Sequence, residues 1–138
     1  MVKRIGAVVA TVVMTVLLSA PAFAGSWTSH FAGWGIGDQS RNWTDSNSPS
    51  NSTVLSIKQC TYSVTTAEKW MAFRLYRDDF WTPDETYERK GVDCWATSAV
   101  HTTSWGSKGK GDFFWRIASI CGFEHNAFAD TPYVRMDY

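Results

Sequence analysis

Residues 67–77 place Met71, Phe73 and Leu75 on one side and Arg74 and Tyr76 on the other, an alternation with a period of two. A helix repeats its apolar positions at i, i+3, i+4 and i+7, so this pattern reads as a strand with one buried face; the alternative is a helix, and the aromatics argue against it. Such a strand satisfies neither its backbone nor its apolar face alone, and a chain led by it must build sheets. The same alternation returns elsewhere. In 26–32, Trp27 and Phe31 flank Thr28, Ser29 and His30; in 53–60, Leu55 and Ile57 alternate with Ser56 and Lys58; in 133–138, Val134, Met136 and Tyr138 alternate with Arg135 and Asp137. Residues 87–95 and 99–104 are weaker strands. In 112–120, Phe113, Trp115 and Ile117 are expected to face one way and Phe114, Ala118 and Ile120 the other, as in a strand central to one of two packed sheets. Glycines at 33, 35 and 37, Pro83 within 80–85, and the glycines of 106–111 mark turns. The expected fold is all-β, a single antiparallel β-sandwich of jelly-roll or immunoglobulin-like type. There is no internal repeat, second domain or long linker, and 46–52 is the one low-complexity stretch.

The sandwich is expected to occupy residues 25–138, because residues 1–24 read as a secretory signal peptide. Lys3 and Arg4 precede an apolar stretch over 5–18, and Ala22-Phe23-Ala24 is a small-x-small cleavage signal before Gly25. The apolar stretch is shorter than the roughly 20 residues a membrane-spanning helix needs. No cysteine follows the cleavage site to carry a lipid. The mature protein is thus expected to be secreted and extracellular, with enough chain for one core. Without Lys3 and Arg4, eleven Lys and Arg face 13 Asp and Glu with no basic run. That balance argues against nucleic acid or a membrane surface as partner.

An oxidising compartment makes the three cysteines, Cys60, Cys94 and Cys121, candidates for a disulfide. Three pairings are open. Cys60 with Cys94 is favoured because each follows a strand-like run beside a polar turn. Cys121 follows an apolar run and reads as a buried thiol acting as a small hydrophobe. The functional alternative for it is an intermolecular disulfide or a nucleophile.

Catalytic motifs are missing. The chain has no H-E-x-x-H, C-x-x-C or G-x-S-x-G, and no phosphate loop with its lysine and hydroxyl residue. His30, His101 and His125 lack the close spacing of zinc ligands. Asp78, Asp79, Asp84, Glu85 and Glu88 form the one cluster that chemistry can use, as a glycosidase pair or a calcium loop. The plainer reading is a solvated turn neutralised by Arg77, Arg89 and Lys90. Asn42-Trp43-Thr44 and Asn51-Ser52-Thr53 have the form of glycosylation sequons, but the leader looks bacterial. The expectation is a protein that is not an enzyme and needs no cofactor or metal.

Aromatic residues are abundant, with eight Trp, five Tyr and eight Phe, and most of them belong in a β core. The N-terminal segment 25–45 concentrates Trp27, Phe31, Trp34, Ile36 and Trp43 among glycines and polar residues. One reading takes it into the core as a first strand and turn. The other makes Trp27, Phe31, Trp34 and Trp43 protein-binding anchors, with part of the segment docking on a second protein by strand addition.

The run Ser40-Arg41-Asn42-Trp43-Thr44-Asp45-Ser46-Asn47, then Thr53-Val54, Cys60, Cys94, Trp105-Gly106 and Gly111-Asp112-Phe113-Phe114-Trp115-Arg116-Ile117, resembles a group of small exported β-sandwich proteins of filamentous bacteria. Some of these are similar to the small bridging subunit of umbrella-type toxin particles, which links a lectin-bearing subunit to the stalk of a large toxin chain. The resemblance spans most of the domain through short, mainly structural motifs, and Cys121 is an addition to its pattern. It implies a non-enzymatic adaptor whose partners are other secreted protein subunits, and it carries over no functional residue. The alternative is a carbohydrate-binding module or lectin. There, exposed Trp81, Trp95 or Trp105 would stack on glycans and the acidic loop would hold calcium.

Overall fold

A computed structural model of the chain describes residues 25–46 and 51–138. The expected signal peptide lies outside them. Nine strands follow in order: β1 (Ser26–Gly35), β2 (Trp43–Asp45), β3 (Thr53–Lys58), β4 (Thr61–Tyr62), β5 (Trp70–Arg77), β6 (Glu85–Asp93), β7 (His101–Gly106), β8 (Gly111–Ile120) and β9 (Phe128–Asp137). One sheet runs β1-β9-β3-β7, with β4 also paired to β9; the other runs β2-β8-β5-β6. All pairings are antiparallel. The two sheets pack as a single β-sandwich, and the described residues contain no helix.

The core lies between the sheets. Leu55, Ile57, Val134 and Met136 come from the first sheet, and Met71, Phe73, Leu75, Trp115 and Ile117 from the second, all essentially buried. The alternation of β5 is realised as read, with Met71, Phe73 and Leu75 inside and Arg74 exposed. The strand β8 is central, between β2 and β5. One part of its expected facing is corrected. Ile120 joins the same core as Ile117, because Ala72 pairs with Ser119 and Phe73 with Ile117, leaving Ala118 as an extra residue. A bulge of this kind offsets the alternation by one residue.

The last strand also begins earlier than its sequence suggests. Pro132 has no N–H to give a ladder and argues for a start at Tyr133, yet β9 begins at Phe128 and lies between β1 and β3. Pro132 fits because the ladders break at it. On one side Lys58 pairs with Tyr133 and Thr61 with Asp130; on the other the register shifts between Ser29 and Phe31. The Thr131 hydroxyl donates to the Lys58 carbonyl at 2.6 Å across the gap.

A disulfide joins Cys60 to Cys94, 34 residues apart. Cys60 follows β3 of one sheet and Cys94 follows β6 of the other, so the bond ties the two layers together. Around it the Cys60 N–H donates to the Trp95 carbonyl, the Cys94 N–H to the Lys69 carbonyl, and the Tyr62 hydroxyl to the Cys94 carbonyl at 2.8 Å. Disulfides persist in oxidising compartments. No helix among the described residues is long and apolar enough to cross a membrane.

Candidate functional site

Strand β1 carries the aromatic N-terminal segment into the fold. Gly25 and Tyr138 exchange two backbone hydrogen bonds of 3.0 Å, and β1 then pairs with β9 down to Gly35 and Phe128. Trp27, Phe31 and Trp43 are buried in the core and Trp34 is half-buried against it. Trp27 packs on Trp43 at 5.9 Å between ring centroids, Phe31 stacks on Trp34 at 5.1 Å, and both Phe31 and Trp34 meet Trp115. The rings of these four residues therefore serve packing. Since β1 is an edge strand of its sheet, what it can offer a further strand is backbone. The Gly25–Tyr138 pair sets the phase of the ladder, which turns the N–H and C=O of Ser26 and Thr28 away from β9.

The most exposed aromatic side chains lie elsewhere. Phe80 and Trp81 form the turn between β5 and β6 and are 86% and 90% exposed. Their centroids are 4.8 Å apart with the rings nearly perpendicular, the edge-to-face geometry that the ring quadrupole favours. Pro83 ends the turn by withholding a ladder donor. Its base is anchored: the Asp78 N–H donates to the Asp112 carbonyl at 2.8 Å, and the Asn42 amide donates to the Asp78 carboxylate at 2.9 Å. Arg77 lies 3.5 Å from Asp79 and 4.0 Å from Glu85. Two large apolar rings thus stand in water on a braced hairpin with acidic surroundings.

The acidic cluster is spread out rather than convergent. Asp78 accepts from Asn42, Asp79 and Glu85 face Arg77, and Glu88 pairs with Lys90 at 2.7 Å. Lys90 holds the Glu88 carboxyl below the ordinary range. Among the described residues no three His, Cys, Asp or Glu side chains are grouped to hold a metal ion. The calcium loop of the lectin reading has no such geometry here. His30 and His125 are exposed and His101 is half-buried, each on a different segment of the chain.

Of the tryptophans considered for stacking on sugars, Trp81 and Trp95 are exposed, and Trp105 is buried with its indole N–H donating to the Glu88 carbonyl at 2.9 Å. Sequence reasoning did not single out Phe80 as a binding residue. Its signal was an aromatic pair between Asp78-Asp79 and Thr82-Pro83, where a turn ordinarily carries polar residues.

Cys121 is a buried free thiol at the end of β8. Burial pushes its thiol above the ordinary range, and burial does the same to the Tyr62 phenol more strongly. The folded protein therefore keeps protons that the unfolded chain releases, so stability falls as pH rises. Unfolding free energy from urea melts is expected to be level through neutral pH and to decline beyond the ordinary thiol value of about 8.5. Cys121→Ala should remove the first part of the decline; a level profile to pH 10 in the parent chain would contradict the assignment.

No family model, curated protein or solved structure matches the chain.

Proposed function

We propose that this protein is a secreted, non-catalytic protein-binding module, an adaptor subunit of an extracellular, toxin-type assembly, and that the Phe80–Trp81 turn is its anchor. The observation that carries the reading is the near-complete exposure of both rings at the tip of a braced hairpin. Leaving two such rings in water forfeits roughly 1.5–3 kcal/mol of burial for each, which a partner's pocket would recover. Aromatic side chains inserted into a desolvated pocket are the usual centres of binding energy at protein interfaces. Asp78, Asp79, Asp84 and Glu85 around the tip suit a pocket rimmed by Lys or Arg. The resemblance to bridging subunits of toxin particles points to the same class of partner, other secreted protein subunits.

A glycan-binding reading draws on the open rings of Trp81 and Trp95, the latter 47% exposed. Isolation from culture supernatant separates the two. The adaptor reading expects a stoichiometric protein partner that is lost with Phe80→Ala/Trp81→Ala, the affinity falling at least about 100-fold. The melting profile should stay within about 0.5 kcal/mol of the parent, because neither side chain is buried. A partner retained by the double variant overturns this anchor, and a monomer retained on a glycan matrix favours the alternative.

A further inference from the structure

The outer face of the β2-β8-β5-β6 sheet carries three arginines in one row. Arg74 on β5 pairs in register with Arg116 on β8 and with Arg89 on β6. Directly paired residues of an antiparallel ladder project to the same face. All three are exposed, and their neighbours Phe73, Leu75, Trp115 and Ile117 fill the core. Adjacent strands lie about 5 Å apart, so the three arginine backbone positions span about 10 Å, and all three side chains line one cavity. Like charges placed directly opposite one another destabilise a sheet.

The row's neutralisation is incomplete. Arg116 donates twice to the Gln39 side-chain oxygen, at 3.2 and 3.0 Å, and lies over the Tyr76 and Phe114 rings, an arrangement that holds its guanidinium without cancelling its charge. Arg89 meets Glu124 at 3.3 Å. Arg74, in the middle, has no hydrogen bond or ion pair among the described residues. The row borders a cavity of about 390 Å³ walled by Tyr76 and, from the β8–β9 connection, by Glu124 and His125. One carboxylate thus faces three guanidinium groups in a concave site.

We propose that this cavity binds a tetrahedral oxyanion, a sulfate or phosphate ester group, held between Arg74 and its two neighbours. Guanidinium forks match such oxygens with paired N–H donors, and the anion's negative charge would relieve the repulsion along the row. Aligned positive charge of this kind needs no basic run in the sequence, because the three residues come from separate strands. The site is independent of the Phe80–Trp81 turn.

The test is an NMR titration of the full mature chain with inorganic sulfate and, separately, inorganic phosphate, with ionic strength matched by sodium chloride. Saturable shifts are expected at the arginine side-chain N–H groups and along the outer faces of β5, β6 and β8. Arg74→Ala should weaken binding at least tenfold while leaving the melting temperature without anion unchanged or raised, since it removes repulsion. Arg74→Gln serves the same purpose if the alanine variant folds poorly. Saturation by sulfate alone assigns the sulfate group as the one the site takes, and saturation by phosphate alone the phosphate group. Shifts matched by chloride, or equal affinity in the Arg74 variants, overturn the proposal. A melting temperature lowered by Arg74→Ala with anion binding unchanged would give the residue a packing role instead.

Discussion

A chain carrying Trp27→Ala and Phe31→Ala is expected to lose cooperative folding rather than a docking function. Trp27 is 8% exposed and Phe31 3%, and each packs against a different partner set, Trp43 for the first and Trp34 with Trp115 for the second. Truncating a buried Trp or Phe to alanine costs about 3–5 kcal/mol, from lost transfer energy and from the cavity left behind. The two rings belong to one core cluster, so their losses couple, and together they exceed the roughly 3–5 kcal/mol of either alone. A domain of this size has about 5–15 kcal/mol in all. The readout is the near-ultraviolet circular dichroism signal and its urea transition. A variant that keeps a cooperative transition near the parent's, and has only lost a binding partner, would restore these rings to the role of exposed anchors.

The second large effect is expected from Cys60→Ala/Cys94→Ala. Closing a loop with a sequence separation of 34 stabilises the folded state by roughly 4 kcal/mol on the chain-entropy account. The bond also joins the two sheets beside the Tyr62–Cys94 hydrogen bond, so its removal loosens one end of the sandwich. Denaturant melts of the variant should show an unfolding free energy lower by that amount, with a lower midpoint and a slope equal to or steeper than the parent's, because the unfolded chain is no longer crosslinked. The same loss should follow when the parent is reduced with a thiol reagent. A difference below about 1 kcal/mol would make the disulfide incidental to stability.

Most strands were legible because one face of each is buried, and burial selects side chains at a period of two. Where the structure departs from the alternation, a second partner strand decides. The three residues of β2 carry too short a pattern to be read, and β2 exists because β8 offers it Phe113, Asp112 and Gly111 as ladder partners. The β4 strand, Thr61–Tyr62, forms on β9 in the same way. Pro132 lies inside β9 because the ladders on both sides break there, and no local feature of the chain announces that gap.

The candidate site was less legible than the fold. Trp27, Phe31, Trp34 and Trp43 drew attention by their density, yet density of aromatics in a β chain is a packing signal before it is a recognition signal. Phe80 and Trp81 are the same residue types, distinguished by their place at a turn that no other element covers among the described residues.

By itself the sequence determined that this chain forms sheets and that they pack as two layers, and it favoured Cys60 with Cys94 among three possible pairings. Those properties follow from local periodicity and from strand ends, which the order of residues states directly. The tertiary structure alone decided which aromatics are enclosed and which stand in water, where the bulge turns Ile120 inward, and that Arg74, Arg89 and Arg116 share one row. Each of these depends on the register between strands distant in the chain. Register is set by the simultaneous burial of many side chains rather than by any one segment.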